Sequence, residues 1–260
     1  MRMLFAVLIR CMWASIFLLS ASAMAALADE IQVYTDEINE PGEFGLEIHT
    51  ITFPKARKTP DYPGEVVPGN SLFVTLEPSY GLTKTVDVGL YLPMARDSFS
   101  GDIALAGLKG RIKWLPIQGA DHDGWYLGAN LEVGRVGRRF NPVRTNAELR
   151  IMSGWHNDDW LIGFNPVINW ELSDQAAGKP GYGIAVKGTR RLAEGLAAGL
   201  EYYSDKGQIG RTLPWEEQDN KLFYVIDVDR KPWIFNLGIG KGLTHASDKT
   251  TVKAIFELPF

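Results

Sequence analysis

Three basic residues at alternating positions, Lys109, Arg111 and Lys113, are the first candidates for chemistry in this chain. In a β-strand, side chains two positions apart point to the same face, so the three would form one basic row. A row of this kind attracts anions when it lines a water-filled pore. The alternative is that acidic residues on neighbouring strands, such as Glu132 and Glu148, pair with the row and hold a filled interior together.

Two short runs contain the residue types of a catalytic or metal site. Ser153 precedes the run His156–Asp159, but catalysis needs a nucleophile, a base and an orienting group that meet in space, and Asn and Asp are ordinary turn formers. The run Asp121–Asp123 contains a histidine, yet three consecutive residues rarely converge on one ion. Phosphate-binding loops and CxxC zinc patterns do not occur in the sequence. The sequence therefore predicts turns at both runs, no enzyme, and no catalytic, cofactor-binding or metal site.

The composition narrows the class of protein. With 45% hydrophobic and 22% charged residues among its 260, the chain is not of the disordered class. Lys and Arg number 27 against 31 Asp and Glu, and the net charge of -4 argues against nucleic-acid binding. A polytopic helical membrane protein would need several apolar runs of about 20 residues, which the sequence lacks. The 27 glycines and many aromatic residues favour strands and turns.

Residues 1–28 have the pattern of a secretory signal peptide. Two arginines are their only charges, and two A-x-A sites predict cleavage before Ala26 or Asp29. A retained membrane anchor is less favoured, because Arg10 divides the apolar stretch into pieces too short to span a bilayer. Cys11 is the only cysteine and lies in this segment, so the mature chain would contain no disulfide.

From residue 44 onward, apolar and polar residues alternate in about twelve runs that are separated by turn residues. The run 125–133, for example, has an apolar residue at every second position. This pattern predicts an all-β fold, a transmembrane antiparallel β-barrel of about 12 strands (about 10–14) over residues 44–260. Residues 29–43 would precede the barrel as a periplasmic segment or as a plug.

Three features favour a membrane barrel over a soluble one. Long connections such as 55–70 alternate with short ones such as 81–84, which also predicts periplasmic termini. The chain ends on Phe256, Leu258 and Phe260, which is similar to the C-terminal assembly signal of bacterial outer-membrane barrels. Aromatic residues lie near the ends of the apolar faces, as interfacial girdles do: Trp114, Trp125, Trp160, Trp170, Tyr202 and Trp233.

The polar faces of the strands would point into the barrel. The pore-lining candidates are Lys109, Arg111, Lys113, Glu132, Glu148, Arg150, Glu77 and Asp87. Burying an unpaired charge without water costs several kcal/mol. Such an interior therefore either contains water or pairs its charges with one another. A barrel of about twelve strands is narrower than the open channels of about 16–18 strands, which favours the paired interpretation of the basic row.

One hairpin carries a resemblance to a known family. The run Glu77–Tyr91 resembles a hairpin of proteobacterial outer-membrane proteins that are grouped as the phenol-degradation meta-pathway transporter-like family. The opening runs Ile31–Tyr34 and Pro41–Phe44 are similar to uncharacterised barrels of this kind. The resemblance implies a membrane barrel and the passage of small compounds, aromatic ones included. It implies no catalytic or binding residue.

The sequence thus predicts a channel or transporter-like barrel for small solutes in the bacterial outer membrane. The expected partners are outer-membrane lipid, the barrel-assembly machinery through the C-terminal strand, and the solutes, with no nucleic acid and no cofactor. Two alternatives stay open. One is a lipase-like surface hydrolase, in which His49 and His245 would meet where the first and last strands adjoin. The other is a plugged barrel with a structural role in the envelope.

Overall fold

The computed structural model describes residues 30–119, 123–173 and 179–259, and in these residues the chain forms one closed antiparallel β-barrel. Twelve long strands make the wall, and two short strands, β4 and β11, pair with β3 and β10. The strands are β1 Phe44–Lys55, β2 Leu72–Thr83, β3 Val86–Arg96, β4 Ile103–Leu105, β5 Gly107–Ile117, β6 Gly124–Val136, β7 Thr145–His156, β8 Trp160–Glu171, β9 Gly181–Ala193, β10 Leu196–Gln208, β11 Arg211–Thr212, β12 Asp219–Arg230, β13 Trp233–Gly242 and β14 Thr250–Pro259. A single 3-10 turn at Trp215–Glu217 lies between β11 and β12. In the described ranges, no helix has the length and apolar character of a membrane span.

The first and last strands close the ring. β1 pairs with β14 from Gly45 to Lys55, and each remaining wall strand pairs with the wall strands next to it in sequence. The predicted barrel of about twelve strands is confirmed. One irregularity of the wall lies near Ala106, between β4 and β5. There β3 leaves its pairing with β5 and pairs with β4 instead, and the buried Ala106 N–H donates to the Pro93 carbonyl at 2.7 Å.

The two ends of the barrel differ in their connections. Short connections at 84–85, 118–123, 157–159, 194–195 and 231–232 define the short-turn end, where β1 begins and β14 ends. Longer connections at 56–71, 97–106, 137–144, 172–180, 209–218 and 243–249 define the long-loop end. Long and short connections therefore alternate along the chain as expected. The periplasmic position of the termini stays a prediction.

Each wall strand places apolar side chains outside and mostly polar side chains inside, because successive residues of a strand face opposite ways. On β6, Trp125 is 73% exposed, whereas the inward residues Tyr126, Asn130 and Glu132 are buried. Of the predicted girdle residues, Trp114, Trp125 and Trp160 are exposed, Trp170 and Tyr202 are half-buried, and the side chain of Trp233 lies outside the described part.

An apolar cluster fills the interior toward the long-loop end. Its members come from the wall and from the long connections: Ile51, Phe53, Val66, Phe73, Ala95, Ala106 and Phe140. The Val66 N–H donates to the Arg139 carbonyl at 2.8 Å, which ties the connection 56–71 to the connection 137–144. An apolar cluster therefore occupies part of the interior toward this end.

Two predicted features lie outside the described residues, namely the signal peptide over 1–28 and the terminal Phe260. Phe256 and Leu258 stand on the outer face of β14, opposite Ile48 and Leu46 of β1. Their part in barrel assembly stays a prediction.

Candidate functional site

Residues 30–43, named the inner segment below, run from the short-turn end into the barrel interior. At that end the segment meets β2, where the Gly42 N–H donates to the Gly81 carbonyl at 2.9 Å and the Gly81 N–H donates to the Glu43 carbonyl at 3.0 Å. Position 81 requires glycine, because a Cβ there would lie 2.1 Å from the Glu40 carbonyl oxygen. The inner segment thus enters the barrel at the point where its backbone packs directly against the backbone of β2.

Side chains of the wall hold the backbone of the inner segment. Asn165 on β8 binds both backbone polar groups of Tyr34. It accepts from the Tyr34 N–H at 2.7 Å and donates to the Tyr34 carbonyl at 3.0 Å. Cations bind three more carbonyls of the segment: Arg150 binds that of Gln32 at 2.8 Å, Lys253 that of Ile31 at 2.9 Å, and Lys113 that of Glu37 at 3.3 Å. Wall and segment are therefore complementary in donors and acceptors.

Two tyrosines and one carboxylate form the centre of the polar interior. The Tyr34 and Tyr91 hydroxyls lie 2.6 Å apart, and they donate to Glu132 Oε1 at 3.4 and 3.3 Å. The Asn130 amide donates to the same oxygen at 2.8 Å. The Arg150 guanidinium lies 4.5 Å from the centroid of the Tyr34 ring. Tyr34 thus joins the inner segment to this network of the wall.

The basic row predicted from the sequence points inward. Two of its three residues, Lys109 and Arg111, lie in ion pairs, whereas Lys113 binds the Glu37 carbonyl. Lys109 Nζ is 2.9 Å from Glu132 Oε2, and Arg111 Nε is 2.6 Å from Glu77 Oε1. Arg111 also contacts Asp87 through its Nη1. The row therefore stands in a network of cross-strand pairs, as in the structural interpretation of the sequence.

Arg150 and Glu148 complete the predicted set. Arg150 donates to Glu148 from Nε at 3.0 Å and from Nη2 at 2.8 Å, and its Nη1 lies 3.7 Å from Glu30 of the inner segment. All eight sequence candidates face the interior, and the inner segment is in direct contact with several of them. That they line a conducting pore stays a prediction.

A second group of buried charges was missed by the sequence reasoning. Glu201 on β10 and Lys253 on β14 are 2.5 Å apart, and each side chain is 1% exposed. Lys187 on β9 lies 3.5 Å from Glu201 and 2.9 Å from Asp227 on β12. The sequence indicates only that these charged residues lie on the inward face of their strands, through the alternation of apolar and polar residues.

The structure does not bring His49 and His245 together. His49 is buried in the interior, with Nε2 3.0 Å from Glu77 Oε2 and 3.5 Å from Glu47 Oε2. His245 is exposed in the connection 243–249, and its Nε2 lies 3.8 Å from Glu216. Although the first and last strands are neighbours, the two histidines therefore do not meet.

The run that begins at His156 also forms no catalytic arrangement. His156 faces inward and its Nε2 lies 2.7 Å from Asp36 of the inner segment, whereas the Ser153 hydroxyl donates to the Phe164 carbonyl on the other face. Asn157 accepts hydrogen bonds from the N–H groups of Asp159 and Trp160, as a turn residue does. Residues 121 and 122 of the other candidate run lie outside the described part.

A closed twelve-strand antiparallel wall around an occupied polar interior has the fold of outer-membrane β-barrels. A COG4313 outer membrane channel from Pseudomonas putida F1 is similar over 89% of this chain and 100% of that chain, with a TM-score of 0.61 and 13% identity. LpxR from Salmonella typhimurium matches over 83% of this chain and 100% of that chain (TM-score 0.42, 12% identity), and a bacterial polysaccharide outer membrane secretin over 85% and 100% (0.42, 10%). At 13% identity the first likeness shows the fold alone, and the two lower scores add nothing to it. No family model and no curated protein sequence matches the chain.

Proposed function

We propose that the protein is a channel or transporter-like barrel for small solutes, hydrophobic or aromatic compounds among them, and that the inner segment closes its pathway. The observation that carries this proposal is the way the segment is held, by hydrogen bonds and ion pairs to inward side chains. Such contacts can be exchanged for water or for a solute, while the wall keeps its own strand-to-strand hydrogen bonds. The similarity of the fold to a COG4313 outer membrane channel supports the same function.

The same proposal includes a location in the bacterial outer membrane. The outward faces of the strands expose large apolar side chains such as Trp114, Trp125 and Tyr224, which supports a lipid environment around the barrel. Delivery by the signal peptide over 1–28 and insertion by the barrel-assembly machinery would lead to that membrane. The short-turn end would then face the periplasm, together with the start of β1.

A plugged barrel with a structural role is the second candidate. The pairing of Lys109 and Arg111 with acidic residues favours it, because paired charges fill an interior without water. The apolar cluster around Ile51 and Phe53 favours it as well, since it occupies part of the interior toward the long-loop end.

Single-channel recording in planar bilayers separates the two candidates. We expect small or brief conductance steps from the full mature chain and larger steps from a variant that lacks residues 30–40. Changing Lys109, Arg111 and Lys113 together to Gln should move the ion preference of these steps toward cations, because positive charge is removed from the wall. A folded deletion variant with neither conductance nor solute uptake in liposomes would overturn the channel and leave the structural role.

A further inference from the structure

Glu47, His49 and Glu77 form a compact group of metal-ligating side chains inside the barrel. Glu47 and His49 stand two residues apart on β1 and so face the same way, and Glu77 of β2 lies directly opposite Glu47 in the strand register. One ligating atom from each of the three lies within 4.8 Å of the others. Barrel curvature thus brings two carboxylates and one imidazole to a single point on the inner wall.

The separations suit a bound metal ion. His49 Nε2 is 3.0 Å from Glu77 Oε2 and 3.5 Å from Glu47 Oε2. Nitrogen and oxygen ligands bind Zn²⁺ at about 2.0–2.2 Å, so two ligand atoms at the corners of a tetrahedron stand about 3.3–3.6 Å apart. The separation of His49 and Glu47 lies within this range, and that of His49 and Glu77 is about 0.3 Å below its lower limit.

Neighbouring residues orient the carboxylates and leave oxygens facing the histidine. Arg111 Nε binds Oε1 of Glu77 at 2.6 Å, which directs the other oxygen, Oε2, toward His49. Arg111 also contacts Asp87, so that its own charge is balanced by a carboxylate outside the group. Gln32 of the inner segment donates to Glu47 Oε2 at 3.4 Å. Outer partners of this kind hold metal ligands in position.

Two buried polar atoms of the interior lack a hydrogen-bond partner among the described residues. The His49 side chain is 1% exposed, and its Nδ1 has no hydrogen-bond partner in the part of the chain that the structure describes. Glu30 of the inner segment is also buried, and its Oε1 makes an ion contact with Arg150 at 3.7 Å but no hydrogen bond there. A divalent cation bound to Nε2 would balance the charge of the two glutamates.

We propose that Glu47, His49 and Glu77 bind a divalent transition-metal ion of the zinc type inside the barrel, next to the inner segment. The donor set carries the choice of ion, because one imidazole nitrogen and two carboxylate oxygens suit Zn²⁺, Co²⁺, Ni²⁺ and Cu²⁺, whereas Ca²⁺ and Mg²⁺ select oxygen alone. Three protein ligands leave a fourth position for water or for a polar group of a solute. The site does not depend on whether the barrel conducts.

Cobalt titration of the untagged mature protein in detergent tests this site. After removal of bound metal by a chelator, Co²⁺ should bind at one equivalent, give the visible absorption of tetrahedral cobalt and be displaced by Zn²⁺. His49→Asn should abolish this absorption. The matched control is His245→Asn, which removes an exposed histidine and should leave the titration unchanged. Heat-modifiable mobility in gels shows that each variant is folded.

A second variant keeps the test decisive if His49→Asn fails to fold. Glu47 is the most exposed of the three ligands, so Glu47→Gln should fold and should weaken Co²⁺ binding at least about tenfold, the loss that follows from outer partners alone. The proposal is overturned by a wild-type protein without saturable cobalt binding. It is equally overturned by cobalt binding that is unchanged in folded His49→Asn or in Glu47→Gln.

Discussion

Replacing Asn165 with alanine should loosen the hold of the barrel wall on the inner segment. The Asn165 amide is wholly buried and makes two hydrogen bonds to the backbone of Tyr34, one as acceptor at 2.7 Å and one as donor at 3.0 Å. Alanine keeps the strand but offers neither group. The Tyr34 N–H and carbonyl then lose their partners in the interior.

The size of this effect follows from the two hydrogen bonds. A buried hydrogen bond contributes about 1 kcal/mol net, and a polar group left unsatisfied costs about 1–3 kcal/mol. Water that enters the space of the lost amide offsets part of this cost. The Asn165→Ala change should therefore lower the free energy of releasing the segment by about 2–4 kcal/mol. The population of the released segment then rises by a factor of about 30–1000.

Cysteine labelling measures that population directly. The mature chain is expected to contain no cysteine, so Val33→Cys, a buried position of the inner segment, places a single thiol there. When release is fast relative to labelling, the rate of maleimide modification is proportional to the released fraction. Asn165→Ala should raise this rate by the factor above. Asn157→Ala, which removes a turn amide of the short-turn end, is the matched control. Equal labelling rates in folded Asn165→Ala and its parent would refute the reasoning.

Three further changes test other parts of the structure. Lys253→Met should lower the free energy of unfolding in urea by about 3–5 kcal/mol, because Glu201 is left as a buried charge, and adding Glu201→Gln should recover most of the loss. Gly81→Ala should displace the inner segment at the short-turn end, because its Cβ would lie 2.1 Å from the Glu40 carbonyl oxygen, and should increase single-channel conductance. Burial raises the pKa of Asp248 above its ordinary 3.8, so its ionisation destabilises the fold progressively above that pH. Asp248→Asn should therefore raise the melting temperature at pH 7 and leave it unchanged below pH 3.8.

Each of these changes has a control or a result that contradicts it. A loss below about 1 kcal/mol for Lys253→Met would mean that Lys187, 3.5 Å from Glu201, already compensates the charge. Gly110→Ala is the control for Gly81→Ala, because a Cβ at 110 would meet its nearest atom at an ordinary 3.8 Å. A melting temperature of Asp248→Asn that is equal to wild type at pH 7 would contradict the assigned cost of ionisation.

The wall was predictable from the sequence wherever one face of a strand is apolar and the other polar. On β6 this contrast places Trp125 outside and Glu132 inside without ambiguity. On β12 it fails, because Phe223 and Val225 are apolar residues on the inner face between outward apolar neighbours. When both faces of a strand carry apolar residues, alternation cannot show which of them point into the interior.

The partners inside the barrel were less predictable than the direction in which side chains point. The row Lys109–Lys113 suggested nearby acids, and Glu132 is one because β5 and β6 are adjacent in sequence. The pair of Glu201 and Lys253 requires the register of four neighbouring strands, β10, β12, β13 and β14, and one sequence does not supply it. The hydrolase alternative expected His49 to meet His245. The partners of His49 in the structure lie instead on its own strand and on the next one.

The covalent attachment of the inner segment to β1 makes it a tethered competitor for the interior. A ligand on a short flexible tether has an effective concentration of about the millimolar range. A free solute that binds the same inward groups must therefore reach that concentration, or bind more tightly than the segment, before it holds the interior open. Contact over a loop of about ten residues re-forms in about 10–100 ns in a flexible chain. Transport through such a barrel would proceed in short intermittent openings, whose frequency depends on the solute, rather than through a standing pore.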